Sequence, residues 1–145
     1  MPTSKKISYV TAREQEGISR AVLSWLKKHN PDIEFEYLPP ERSGMSLTTI
    51  QGAYKTAQYI DGSYEAQYQF GILYRSLPTD SEERLDAESE LNKLGEWAEE
   101  NWPDLGDEKN VTTVQRTSSA SLLKRYDDNV EDYQILMTME YEVGG

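Results

Sequence analysis

Four acids fall within six residues at Asp127, Asp128, Glu131 and Asp132, inside the stretch YDDNVEDY. Clustered carboxylates are what a divalent cation, or a pair of carboxyls in acid–base work, would require. The spacing lacks the D-x-[DN]-x-[DN]-G pattern and the distal glutamate of a calcium loop, so it gives metal binding little support. The one histidine, His29, follows Lys27 and Lys28. It reads as an exposed helix end, because a general base needs a partner and a pocket. The chain has no cysteine, which removes disulfides, thiolate nucleophiles and cysteine-held zinc. Neither a Ser-His-Asp set nor a phosphate-cradling glycine motif can be assembled. The expectation is a protein that is not an enzyme and holds no metal or cofactor.

A second chemistry is aromatic. The stretch YIDGSYEAQYQFGILY (Tyr59–Tyr74) holds four of the ten tyrosines. Tyr64, Tyr68 and Tyr74 share one parity with Ala66, Phe70 and Ile72. Such a row is a base-stacking platform or one wall of a core. Platforms come with basic grooves, and the sequence pI is about 4.5. The core reading is therefore preferred, with each phenol ring buried and its hydroxyl at the edge.

The formal charge of −11 is unevenly placed. Residues 80–108 carry twelve acids and two bases, whereas residues 1–30 carry two acids and six bases. Solvated helix faces account for most such runs. The segregation also makes a polar molecule whose copies can attract head to tail. No stretch approaches the roughly 20 apolar residues of a membrane-spanning helix, and no run of signal-peptide length opens the chain. The expectation is a single soluble domain over residues 1–145, made in a cytoplasm and without a membrane partner.

The elements that must position these groups follow from period and punctuation. A helix is predicted over about Thr11–Lys28, with Thr11 and Glu14 as a capping box and Ile18, Ala21, Val22, Trp25 and Leu26 as its apolar stripe. IEFEYL (Ile33–Leu38) alternates as a strand, with Ile33, Phe35 and Tyr37 on one face. A long β region, Met45–Ser76, is divided by Asp61-Gly62, a strong hairpin signal. Parity favours a three-residue loop with Gly62 at positive φ, which sets the even face of the second strand against Ile50, Tyr54 and Thr56.

A second helix spans about Asp80–Asn101, with a capping box in TDSE (Thr79–Glu82) and a stripe of Leu85, Leu91, Leu94, Trp97 and Ala98. Two strands follow, Val111–Thr117 and Tyr133–Val143. The connection between them, SSASLLKRYDDNVED, reads as a long mobile loop, the kind that carries function. The order α-β-β-β-α-β-β implies an α+β fold: a mostly antiparallel twisted sheet with a long β-hairpin and two helices packed on it.

Three stretches carry a family resemblance: YKTAQYIDGSYEAQYQFGILYRS (Tyr54–Ser76), RLDAESELNKLGEW (Arg84–Trp97) and LLKRYDDNVEDYQILMTMEYE (Leu122–Glu142). Together with the early helix bearing Trp25, they resemble the small minor capsid proteins of tailed phages and prophages of Gram-positive bacteria. Size and element order are similar to those of the tail terminator, or tail completion, proteins of long-tailed phages. The resemblance implies a virion protein at the tail–neck junction that closes the head-proximal end of the tail tube. It implies a hexameric ring of copies, with the major tail tube protein and a head–tail connector protein as partners. DNA would pass through the ring without specific binding. No catalytic residue is implied.

Two segments are the candidate contacts. One is the hairpin tip, Ile60, Asp61, Gly62 and Ser63. The other is the long connection, Leu122, Leu123, Lys124, Arg125, Tyr126, Asp127 and Asp128, expected to order on assembly. The competing readings are a neighbouring head–tail connector and, in another class, an acidic DNA-mimic inhibitor built on residues 80–108. A small carboxylate enzyme ranks below both.

Overall fold

The structure is a computed structural model that describes residues 6–106 and 108–144. Lys5 of the basic segment and Asp107 of the acidic one lie outside the described residues. The elements run β1 (Ser8–Tyr9), α1 (Ala12–Leu26), β2 (Glu34–Phe35), β3 (Gly44–Gln58), β4 (Tyr64–Ser76), α2 (Ser81–Glu100), β5 (Lys109–Arg116), β6 (Ser121–Arg125) and β7 (Glu131–Val143). This is the α+β fold that the patterning implies, with two short strands, β1 and β6, beyond the expected order.

One mostly antiparallel sheet is built on three long strands in the order β3-β4-β7. Its two borders are each made of two short strands. β1 and β2 lie against different stretches of β3, and β5 and β6 lie against different stretches of β7. Both helices cover the same face. Trp25 of α1 stacks on Trp97 of α2 at 5.5 Å and meets Phe70 of β4 edge-on at 6.4 Å. Tyr68, Phe70 and Ile72 are fully buried beneath them, opposite Met139, Met137 and Ile135 of β7. The tyrosine row is thus the wall of the core that alternation with apolar neighbours requires.

Helix α1 begins as its cap predicts, with Thr11 Oγ1 accepting from the Glu14 amide at 3.2 Å. The reciprocal half of the capping box is absent, because the Glu14 carboxylate is taken by two tyrosine hydroxyls. Helix α2 starts one residue later than TDSE suggests. Asp80 is the cap, accepting from the Glu83 amide at 2.9 Å, and Glu83 reaches back to the Thr79 amide at 2.9 Å. Leu85 also lies outside the expected stripe, 63% exposed, and Ala87 and Gly95 are buried in it. Gly95 is required by proximity. A Cβ there would lie 2.6 Å from Arg116 Cδ and 2.9 Å from Ile135 Cδ1.

The strand expected over Ile33–Leu38 is cut to two residues. Glu36 adopts a left-handed backbone (φ 51°), which few side chains tolerate and which ends a strand. Ile33 is buried, but Phe35 and Tyr37 are exposed instead of sharing its face.

The β3–β4 loop has the odd length that parity favours. The Tyr59 amide donates to the Ser63 carbonyl, Gly62 donates back to the Tyr59 carbonyl, and Gly62 sits at φ 92°. Only Ile60, Asp61 and Gly62 lie between the paired ends. Next to the turn, Gln58 faces Tyr64, even with even. Three register shifts then break β3, between Thr49 and Gln51, Gln51 and Tyr54, and Lys55 and Ala57. They change the parity, so Thr49, Leu47 and Met45 face Phe70, Ile72 and Tyr74. The expected partners Ile50, Tyr54 and Thr56 are displaced: Ile50 is 48% exposed, and Leu47 and Ala53 supply the buried contacts.

Candidate functional site

The two segments singled out in the sequence stand at opposite ends of β7. The hairpin tip immediately precedes Tyr64, which pairs with Val143; the other segment precedes Glu131. The thirteen residues of β7 separate them by about 40 Å at the usual strand rise. They are therefore two surfaces and not one site.

At the tip, Asp61 Oδ1 accepts from the Ser63 amide at 2.9 Å and from its hydroxyl. This local ring of bonds holds the turn and leaves Ile60 with no cover at all. An isoleucine in full contact with water at the end of a braced turn is an apolar probe. Tyr59 lies beside it, half exposed, with Glu65 and Glu142 raising the pKa of its phenol through a hydrogen bond and through charge.

The second segment is not the mobile loop expected. Ser121–Arg125 forms a strand paired with β7, and the Tyr126 amide closes the hairpin on the Val130 carbonyl at 2.8 Å. Asn129 turns the chain at φ 59°. Residues 121–129 are all exposed, with Leu122 at 41% and Leu123 at 50%. Lys124 and Tyr126 lie over one another at 4.8 Å. Asp127 and Asp128 occupy the turn.

The acid cluster explains why this arm is ordered. Glu131 and Asp132 are buried and, being consecutive in a strand, face opposite sides of the sheet. Asp132 receives a two-pronged bond from Arg75 at 2.8 and 2.9 Å and a third from the Tyr126 hydroxyl at 3.1 Å. Arg75 also donates to the Pro39 carbonyl at 3.0 Å. On the helix side, Glu131 accepts from Arg84 of α2, from Arg125 at 2.8 Å and from the Tyr133 hydroxyl at 2.7 Å. Burial by itself would raise the Glu131 pKa. The bonds from Tyr133, Arg125 and Arg84 outweigh it and hold the carboxyl below its usual range. Each carboxylate thus receives several hydrogen bonds, the condition under which buried ions are tolerated. Among the described residues no group of three or more acids or histidines is placed to hold a metal ion.

A partly buried carboxylate lies near the other end of the core. Glu14 accepts from the hydroxyls of Tyr64 and Tyr141, the latter at 2.7 Å. Burial, then the bond to a carboxylate, raises the pKa of Tyr64 and Tyr141, and the same causes push Tyr133 up to about 12. A phenol whose folded pKa is raised keeps its stabilising contribution below the unfolded value of about 10 and loses it as pH rises further. Titration followed at 295 nm is expected to leave Tyr133 and Tyr141 un-ionised at pH 11 until the chain unfolds. Smooth ionisation of all ten tyrosines near pH 10 in the folded protein would contradict this burial.

His29 is exposed and rests on the Trp97 ring at 5.3 Å. The sheet face away from the helices bears no helix, although Ser46, Asp132 and Thr138 on it are buried. It carries Glu65, Gln67 and Gln69 on β4 and Gln134, Glu140 and Glu142 on β7. The one basic residue of these two strands, Arg75, is neutralised by Asp132. No family model matches the chain, and no curated protein matches it.

The buried role of Glu131 and Asp132 was the feature hidden in the sequence. Both belong to the acid run already singled out. Their partners Arg75 and Arg84 lie 57 and 47 residues away, beyond the reach of any local spacing.

Proposed function

We propose that this protein completes the tail of a long-tailed phage, closing the head-proximal end of the tube and joining it to the neck. The carrying observation is the two-sided sheet. One face is sealed by helices, and the other, free of helices, carries Glu65, Glu140 and Glu142 with several amides, beside Leu73 and Leu136. Copies arranged in a ring with that open face inward would present carboxylates and amides to passing DNA. Like charge keeps a phosphate backbone from adhering. The partners under this reading are further copies of the chain, the tail tube protein and a head–tail connector protein. The sequence resemblance supports the same role.

The acids of α2 bear on the DNA-mimic alternative. Glu83 caps its own helix, and Glu99 is bound to Arg116 at 2.9 Å. Part of the acidity is thus committed to holding the fold, which favours the assembly reading.

The test is removal of the gene from the phage. Negative-stain microscopy of the resulting lysate is expected to show tubes of uncontrolled length, unattached to filled heads. Tails of normal length, with only attachment lost, would move the protein to the neck connector position. Intact infectious particles would sink both roles.

A further inference from the structure

The two borders of the sheet carry opposite charge, Glu34 on one and Lys124 on the other. Register across the sheet runs Glu34 to Ser46, Leu73, Gln134 and Ser121. β2 and β6 therefore stand on one row, at opposite edges. Each has a strand partner on one side only, so a row of backbone groups is open on both. Chain direction alternates along β3, β4, β7 and β6, and β2 is parallel to β3. Two copies side by side in the same orientation thus bring β6 against β2 as an antiparallel pair.

The side chains match on both faces of such a joint. Glu34 shares the open face with Ser46 and Leu73, and Lys124 shares it with Asp132. Neither Glu34 nor Lys124 has an ion-pair partner among the described residues. On the helix side, Phe35 is 41% exposed and borders a groove with Glu16, Ser19, Arg20 and Leu23. Leu122, opposite Tyr133, projects on that same side. Short edge strands and edge charges ordinarily block pairing. Here the charges differ in sign, so they oppose like edges and favour unlike ones.

We propose that a second copy of this chain docks by strand addition, the β6 edge of one copy joining the β2 edge of the next. With the second copy displaced by two residues along the strands, Lys124 meets Glu34 on the open face, and Leu122 enters the groove beside Phe35. The contact is heterologous, so repetition gives a closed ring or an open filament. This interface deepens the tail-completion reading by naming the self-contact that a ring would use.

The chain contains no cysteine, so introduced ones report alone. Protein carrying Glu34→Cys, mixed with protein carrying Lys124→Cys and mildly oxidised, is expected to form a disulfide-linked pair. It should form at least about ten-fold faster than between Glu34→Cys and the exposed control Ile60→Cys, since docking raises the local concentration. The double variant Glu34→Cys/Lys124→Cys should give a ladder of oligomers on a non-reducing gel. Without cysteines, Glu34→Lys should weaken association in sedimentation about ten-fold or more, and Glu34→Lys/Lys124→Glu should restore it. Cross-linking no faster than the control overturns the interface, whatever the tail phenotype. Efficient cross-linking with normal tails in the gene deletion keeps the interface and removes the tail-completion reading.

Discussion

Replacing Asp132 with alanine is expected to destabilise the fold by about 3–5 kcal/mol, the cost of removing one partner of a buried ion pair. The carboxylate is 5% exposed and the Arg75 side chain 14%. Little water can reach the guanidinium that the substitution strands. Arg75 ties β4 to β7 and to the Pro39 carbonyl, and the Tyr126 hydroxyl closes the arm by donating to the Asp132 carboxylate. The loss is therefore felt at three points of the chain. Against a typical total of 5–15 kcal/mol, such a loss takes much of the stability, and a urea titration reads it as a lower midpoint. The double variant Asp132→Leu/Arg75→Met removes both charges and should recover most of the loss. With Asp132 in place, Arg75→Lys should also destabilise, because lysine cannot give the two parallel bonds. An Asp132→Ala protein within about 1 kcal/mol of the parent would mean that the pair is idle, as many exposed pairs are.

The parts of the fold carried by short-range signals could be read directly. Asp61-Gly62 and strand parity gave an odd loop with Gly62 at positive φ, because turn chemistry is decided within a few residues. The apolar stripe of α1 was legible for the same reason. What stayed hidden depends on distant partners. The shifts in β3 leave no mark in its sequence, yet they exchange Ile50 for Leu47 at the core. β6 lacks alternation, since Leu122 and Leu123 are adjacent and a register shift separates Leu122 from Lys124. Its strand conformation comes from pairing with β7. Glu131 and Asp132 looked like solvated acids until Arg75 and Arg84 came beside them. Of the candidate contacts, the tip's projection followed from parity, whereas the arm's order required knowing what its acids bind.

That order changes how the arm should be tested. Deleting Leu122–Tyr126 would remove Arg125 and Tyr126, which hold Glu131 and Asp132, so a failure to assemble would report unfolding and not a lost contact. Leu122→Asp/Leu123→Asp alters only exposed side chains and leaves both buried carboxylate sets intact. Its stability should stay within about 0.5 kcal/mol of the parent, as surface changes usually do. Under the tail-completion role, the same variant is expected to fail in complementing a gene deletion. Burying a carboxylate in an apolar contact without a partner costs several kcal/mol, and each 1.4 kcal/mol is ten-fold in binding. A titre reduced by about a hundred-fold or more is therefore expected, with overlong tubes in the lysate. Ile60→Asp alters the opposite end of the sheet, about 40 Å away by strand rise. If the tip contacts a different neighbour, its defect should show in head attachment with tube length controlled. Full complementation by the Leu122→Asp/Leu123→Asp protein would remove the arm from the assembly surface and leave the tip as the candidate contact.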